Sequence, residues 1–144
     1  VHLNPNNATV LAILGGHLVY AGQYEQGKQL IDRALVLNPF LPPEAGPGFA
    51  NSHYYYHRGE YERAVAAIQK VNLPGYLWTY ILAAAAHAQL GHSKEARAAM
   101  RRLQEVQPGF SQTKFAEEAR VWNMPEPAIR HFADGLRKAG LPDK

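Results

Sequence analysis

Two histidines that are four residues apart in the sequence could bind a metal ion together if they lie on one helix. They are His53 and His57, and the three residues between them are tyrosines. Positions i and i+4 of a helix share a face about 6 Å apart, so both imidazoles could hold one metal ion. The zinc-protease pattern H-E-x-x-H adds a glutamate as general base, which this segment lacks. Because the sequence also supplies no third ligand, we expect no metal and no cofactor; a metal-dependent activity centred on the two histidines is the lesser alternative.

The other residue types that serve in catalysis are poorly placed. The motifs G-x-S-x-G, G-x-G-x-x-G and G-x4-G-K-[ST] do not occur in the sequence. Ser52, Ser93 and Ser111 have no obvious His and Asp partners nearby in the chain. Glu117 and Glu118 are adjacent, and adjacent helix positions point in different directions, so we interpret them as part of a solvated face. The sequence therefore predicts that this chain is not an enzyme.

Length and composition favour one helical domain. The chain has 144 residues, of which 47% are hydrophobic and 19% charged, and it has no cysteine. That length fits a single domain, and the lack of cysteine excludes a disulfide framework and a thiolate zinc site. The longest apolar stretch, residues 76–86, is shorter than the roughly 18 residues of a membrane span, and no signal peptide is visible. We expect a cytoplasmic protein that does not bind membranes.

The charge balance gives little reason to expect a nucleic-acid partner. Lys and Arg number 15 against 12 Asp and Glu, so the net charge is +3. The densest basic group is Lys94, Arg97, Arg101 and Arg102, and Glu95 interrupts it. A nucleic-acid binder usually concentrates its basic residues in a stripe, whereas mixed charges are typical of the solvated face of an amphipathic helix. We adopt the second interpretation and expect no nucleic acid to bind this chain.

An internal repeat organises the sequence. Three glycines, Gly22, Gly59 and Gly91, follow one apolar segment and precede another, and their spacings are 37 and 32 residues. Each glycine suits the left-handed conformation that ends a helix. Pro39 and Pro108 then stop the second segment of their copies. The pattern predicts helices at 8–21, 24–37, 45–58, 61–72, 77–90 and 93–106, and two more at about 111–121 and 126–138.

This pattern resembles the tetratricopeptide repeat (TPR), which has a period of 34 residues and small residues where its paired helices meet. The resemblance implies an all-α fold, a TPR-like α-solenoid of antiparallel helix pairs with C-terminal capping helices. Its repeats would lie at about 8–39, 45–74 and 77–108, and its cap at about 111–142. Val1, Leu3, Asn4 and Pro5 match residues 36–39 in outline. We therefore expect the chain to be a fragment excised from a longer protein with further repeats or another domain upstream.

The resemblance also implies a groove, because the first helix of each TPR pair lines the concave surface. The groove residues carried over in this way, besides Thr9, are Ala12, Gly16, Val19, Tyr20, Phe49, His53, Tyr56, His57, Trp78, Ile81, Ala85 and Gln89. This set contains no Lys or Arg, so it does not suit the two-carboxylate clamp of chaperone-binding relatives. It suits a protein or peptide segment of apolar character. The alternative is that a helix of the same protein, or another of its domains, fills the groove; the sequence also leaves a homo-oligomer open.

Part of the chain resembles a narrower group. Residues 72–79, 82–91, 106–111 and 135–142 are similar to the C-terminal repeat region of bacterial proteins with an N-terminal class III adenylate or guanylate cyclase domain. The same region also occurs behind winged-helix DNA-binding domains. The resemblance implies a scaffolding or regulatory role in signal transduction and places no catalytic residue here, with a winged-helix transcription regulator as the alternative parent. Residues 121–127 depart from the usual linker before the last helix, which leaves the docking of the cap open.

Overall fold

The turn glycines end helices as the sequence predicts. In the computed structural model, which describes residues 7–144, Gly22, Gly59 and Gly91 have φ angles of 90°, 75° and 76°. Residues that carry a side chain rarely adopt this left-handed backbone conformation, whereas glycine adopts it without steric cost. Each of the three glycines lies between the two helices of a pair, so the repeat seen in the sequence sets where the helices begin and end.

Eight α-helices account for most of the described residues, and none of these residues lies in a β-strand. The helices are α1 (Ala8–Tyr20), α2 (Tyr24–Leu37), α3 (Pro47–His57), α4 (Tyr61–Gln69), α5 (Leu77–Gln89), α6 (Ser93–Val106), α7 (Gln112–Val121) and α8 (Glu126–Lys138). A 3-10 turn at Pro43–Ala45 precedes α3. The all-α prediction is confirmed. The predicted bounds at 45–58 and 61–72 are too long, because the first helix begins at Pro47 and the second ends at Gln69.

Consecutive helices pack as three hairpins. The helices α1 and α2, α3 and α4, and α5 and α6 lie against each other, α3 contacts α1 and α2, and α5 contacts α4 and α3. Small residues permit the closest of these approaches. A Cβ atom added to Gly15 would come within 2.8 Å of the Gly27 carbonyl oxygen, and one added to Gly27 within 2.6 Å of the Gly15 carbonyl oxygen. The backbones of α1 and α2 therefore meet at a pair of glycines.

The last two helices, α7 and α8, pack against each other, and α8 also packs against α5 in the middle of the chain. The C-terminal tail passes the start of α7, where the Gln112 backbone N–H donates to the Pro142 carbonyl at 2.8 Å and the Thr113 backbone N–H to the Asp143 carbonyl at 3.3 Å. These bonds satisfy amide groups that the first turn of a helix leaves unpaired. The sequence predicts that this segment covers the end of the array, whereas α8 lies on the face that α3 and α5 present.

Two further predictions concern the N-terminal residues and the absence of a membrane span. The predicted match of Val1, Leu3, Asn4 and Pro5 to the tail of an earlier repeat lies outside the described residues. Within residues 7–144, no helix combines the length and the apolar character that crossing a bilayer requires.

Candidate partner-binding groove

The structure buries most of the side chains that the sequence assigns to the groove. Gly16 and Gln89 are half-buried, and His57 is exposed. The remaining nine are buried: Ala12, Val19, Tyr20, Phe49, His53, Tyr56, Trp78, Ile81 and Ala85. The predicted groove residues therefore do not form one open groove in the structure. One part is covered by a helix of the same chain, which is the alternative that the sequence left open.

The covered part, which we call the filled half, consists of His53 and Tyr56 of α3, Trp78, Ile81, Ala85 and Gln89 of α5, and α8 above them. Phe132 of α8 is its central contact. The Phe132 ring stacks on Tyr56 with the ring centroids 4.1 Å apart and the planes at 10°. It meets His53 edge-on at 4.9 Å and Trp78 edge-on at 6.2 Å. Aromatic pairs in these arrangements are stabilising beyond the area that they bury.

Polar contacts fix the position of α8 along the filled half. The Tyr56 hydroxyl donates to the His131 carbonyl oxygen at 2.7 Å and accepts from the Gln89 side-chain amide at 3.0 Å. The Tyr61 hydroxyl shares a hydrogen bond of 2.8 Å with His131 Nε2, and Lys138 Nζ donates to Gln89 Oε1 at 2.9 Å. Burial raises the pKa of Tyr56, so its hydroxyl keeps the proton that it donates.

The backbones of α8 and α5 approach closely, and this is the third feature that seats α8 on the filled half. A Cβ atom added to Gly135 of α8 would lie 2.5 Å from the Tyr56 hydroxyl oxygen and 3.1 Å from both Cβ and the carbonyl oxygen of Ala85. Glycine at this position lets α8 lie directly on α5. The helix is therefore seated on the groove by shape as well as by hydrogen bonds.

The two histidines with metal-ligand spacing lie in different surroundings. His53 is completely buried among the rings of Tyr20, Tyr24 and Phe132, and neither of its ring nitrogens has a hydrogen-bond partner among the residues that the structure describes. Burial, followed by the charges of His57 and His131, lowers the pKa of His53 to about 3. His57 is exposed and stacks on Tyr24 with the centroids 3.5 Å apart. No group of three or more His, Cys, Asp or Glu side chains within residues 7–144 could hold a metal ion.

Val19 packs against the second helix of its own hairpin. A Cβ atom on Gly27 would come within 2.6 Å of the Val19 side chain, so Val19 faces α2 inside the first hairpin. The positions carried over from the TPR pattern include Val19 and Tyr20 as neighbours. Consecutive helix residues point about 100° apart, and the Tyr20 ring lies against His53 of α3 and Trp78 of α5. Val19 therefore packs inside the first hairpin, in a cluster of buried residues that also contains Ala50 and Tyr54 of α3.

Glu118 is a site residue that the sequence analysis did not find. Its Oε1 atom accepts hydrogen bonds from the indole N–H of Trp78 at 3.0 Å and from that of Trp122 at 3.2 Å. The prediction that Glu118 belongs to a solvated face is therefore wrong. The neighbouring Glu117 is exposed, as are the basic residues of α6. The spacing of Trp122 and Glu118 by one helical turn is a signal that could have suggested part of this contact.

The other part of the predicted groove remains open and forms an apolar cleft between α1, the 3-10 turn and α3. We call it the open cleft; its volume is about 210 Å³. Its walls are Ala12, Ile13, Gly16, His17, Tyr20, Glu44, Ala45, Gly46, Phe49, Ala50, Leu73, Tyr76 and Trp122. Ile13 is 51% exposed and Leu73 39% exposed. Four of the predicted groove residues, Ala12, Gly16, Tyr20 and Phe49, therefore border the open cleft, although only Gly16 is more than slightly exposed.

Comparison with models of protein families, with curated proteins and with solved structures found no match to this chain.

Proposed function

We propose that this chain is a non-catalytic protein-interaction module of TPR-like helix pairs, and that it binds an apolar segment of a partner protein in the open cleft. The observation that carries the proposal is the continuity of the open cleft with the filled half. The Tyr20 ring lines the cleft and also contacts two rings of the filled half. Its centroid lies 4.4 Å from that of His53 and 4.9 Å from that of Trp78. One surface thus has a helix on one part and none on the other.

The occupant of the filled half indicates what the open cleft would accept. The helix α8 presents buried Ile129, Phe132 and Leu136 on one face and exposed Arg130 and Arg137 on the other. The open cleft offers a similar mixture, with apolar walls and the polar groups His17 and Glu44 among them. We therefore propose an amphipathic helix with one aromatic or large aliphatic anchor as the partner segment. An anchor of this kind contributes about 2 kcal/mol or more when it is fully desolvated.

Blocking the cleft with a side chain tests this proposal. A Cβ atom on Gly16 meets no other atom within 4 Å, so Gly16→Phe places a ring in the cleft without displacing the core. The probes are synthetic amphipathic helical peptides that differ only in one anchor, which is Phe, Trp, Leu or Ala. We expect saturable binding of at least one peptide with a large anchor, weaker binding of the Ala peptide, and loss of binding in Gly16→Phe. Trp122 fluorescence and backbone amide chemical shifts measure the binding.

Gln26→Phe is the matched control, because Gln26 is an exposed residue of α2 that does not line the cleft. This variant should bind the peptides as the parent chain does. Equal binding by Gly16→Phe and Gln26→Phe, or no saturable binding of any anchored peptide, would show that the open cleft is not the binding site.

The parent protein is a separate part of the proposal. The resemblance of residues 72–79, 82–91, 106–111 and 135–142 supports a place in the regulatory C-terminal region of a bacterial adenylate or guanylate cyclase-like signalling protein. Sequencing the coding DNA upstream of Val1 tests it. A cyclase domain with paired metal-binding aspartates would support this parent. A winged helix would replace it by a transcription regulator, and further repeats alone would leave a general scaffold.

A further inference from the structure

A second cavity lies away from the groove, between the end of α2, the loop that follows it, α3 and α4. Its volume is about 570 Å³, which is within the range of cavities that bind small molecules. Pro39, Pro42, Pro43 and Pro47 form much of one wall, and we call it the proline cavity. Proline fixes the backbone φ angle, so this wall is formed before a ligand arrives and little conformational entropy is lost on binding.

One face of α4 forms the opposite wall and carries the charge. Arg63, Ala66, Ala67 and Lys70 line the cavity, a spacing that places them on one side of the helix. The alanines leave space between two cations that lie about 10 Å apart along the axis. None of the described residues that line the cavity is acidic. An anion with an apolar body would therefore meet a favourable charge at either end of this wall.

The two cations are not equivalent. Arg63 lies over the Tyr55 ring at 5.5 Å and pairs with Glu60 at 3.8 Å. The exposed Lys70 side chain has no ion pair or hydrogen bond with any residue in the part of the chain that the structure describes. Lys70 is therefore the cation that is free to bind a ligand anion, while Arg63 adds to the positive field.

Asn51 supplies a further polar group in the wall. Its Oδ1 atom is buried and has no hydrogen-bond partner within residues 7–144. A ligand in the cavity cannot reach this buried oxygen, so the polar atom that Asn51 can offer it is Nδ2, which carries N–H donors.

We propose that the proline cavity binds a small amphipathic carboxylate with an unbranched or aromatic apolar body, and that Lys70 holds its carboxylate. A peptide is a poorer occupant, because its backbone N–H and C=O groups would need partners along the whole cavity. Prolines have no N–H to donate, and Asn51 is the one side-chain amide among the described lining residues. An aliphatic chain has no such groups to satisfy, and Leu35, Leu41 and Tyr55 provide apolar surface for it.

Dodecanoate below its micelle concentration is the probe. Displacement of the anionic dye 8-anilinonaphthalene-1-sulfonate and amide chemical-shift changes in α3 and α4 measure its binding, and we expect a saturable one-to-one site. Lys70→Glu should raise the Kd about tenfold, as expected for loss of a charged hydrogen bond together with repulsion. Lys94→Glu, which changes the same residue type at an exposed position of α6, should leave the Kd within about twofold.

Three further measurements keep the proposal open to refutation. Ala67→Phe should fill the cavity and abolish binding while the helical circular dichroism is unchanged; a second filling variant, Ala66→Phe, serves if the first does not fold. Dodecanol should bind more weakly than dodecanoate. The protein should not sediment with phosphatidylglycerol vesicles. Absence of saturable binding, no effect of the filling variants, equal effects of Lys70→Glu and Lys94→Glu, or binding to vesicles alone would each overturn the proposal.

Gly16→Phe separates this proposal from the proposed function. The open cleft and the proline cavity share no lining residue. The variant should therefore lose the helical peptides and keep dodecanoate, whereas Ala67→Phe should do the reverse. Loss of dodecanoate in Gly16→Phe would contradict a separate site.

Discussion

The filled half and the open cleft differ in what lies on them, while their residue types are alike. Both present aromatic rings from α3 and neighbouring helices, and Tyr20 contributes to both. In the filled half Tyr56, Trp78 and Phe132 are shielded from water, and the Tyr56 hydroxyl has partners on α5 and α8. At the cleft, apolar side chains such as Ile13 remain exposed. The comparison teaches that an aromatic groove becomes core where a distant helix returns to it and stays open to solvent where none does.

Acid should act on the filled half more strongly than on any other region. Burial lowers the pKa of His53 to about 3, against about 6.5 in an unfolded chain. Above pH 6.5 the histidine is neutral in both states and costs nothing. As the pH falls from 6.5 towards 3, only the unfolded chain takes up the proton, so the free energy of unfolding decreases by about 5 kcal/mol from this residue. Urea unfolding at a series of pH values measures this loss.

His53→Phe should remove that part of the pH dependence, because a ring of similar size replaces the histidine and cannot be protonated. The exposed His17, changed to Phe, provides the control and should leave the pH dependence as in the parent chain. An equal loss of stability with acid in the parent chain and in His53→Phe would show that protonation of His53 does not oppose folding.

The two tryptophans that share Glu118 provide the next test. Trp78 is fully buried in the filled half, whereas Trp122 is half-buried at the open cleft. Trp78→Ala should therefore lower the free energy of unfolding by about 3 to 5 kcal/mol, and Trp122→Ala by about 1 kcal/mol. Each variant leaves Glu118 one indole donor, so the difference reports burial. Chemical denaturation of both variants measures it, and equal losses would mean that the two regions are equally packed.

A pair of glycines gives the smallest and most local test. Gly135→Ala adds a methyl group where Tyr56 and Ala85 leave no room, and it should cost about 1 to 3 kcal/mol. Gly16→Ala adds the same group to a helix position with open space, and it should raise the free energy of unfolding by about 0.5 to 1 kcal/mol. Thermal unfolding of the two variants shows the opposite signs. Stabilisation by both would contradict the close seating of α8 on α5.

The helices were predictable because their signals are local. The turn glycines and the prolines act on residues within a few positions, and the structure confirms the bounds of α2, α6 and α8 from the sequence. The covering of the groove was not predictable in the same way. Tyr56 and Phe132 are 76 positions apart, and no pattern in either segment states that they meet. The same holds for Glu118 and Trp78, which lie 40 positions apart.

The hydrogen bonds between the C-terminal tail and the start of α7 have a kinetic consequence. They join the residues after α8 to the first two residues of α7, so the two ends of the segment that covers the filled half are tied to each other. Removing α8 from α5 alone would strain or break the bonds at Gln112 and Thr113 as well. Opening of the covered surface is therefore a concerted event that involves both helices. The amides of α7 and α8 should exchange with deuterium at one common slow rate, and the groove beneath them should admit solvent only as often as that pair detaches.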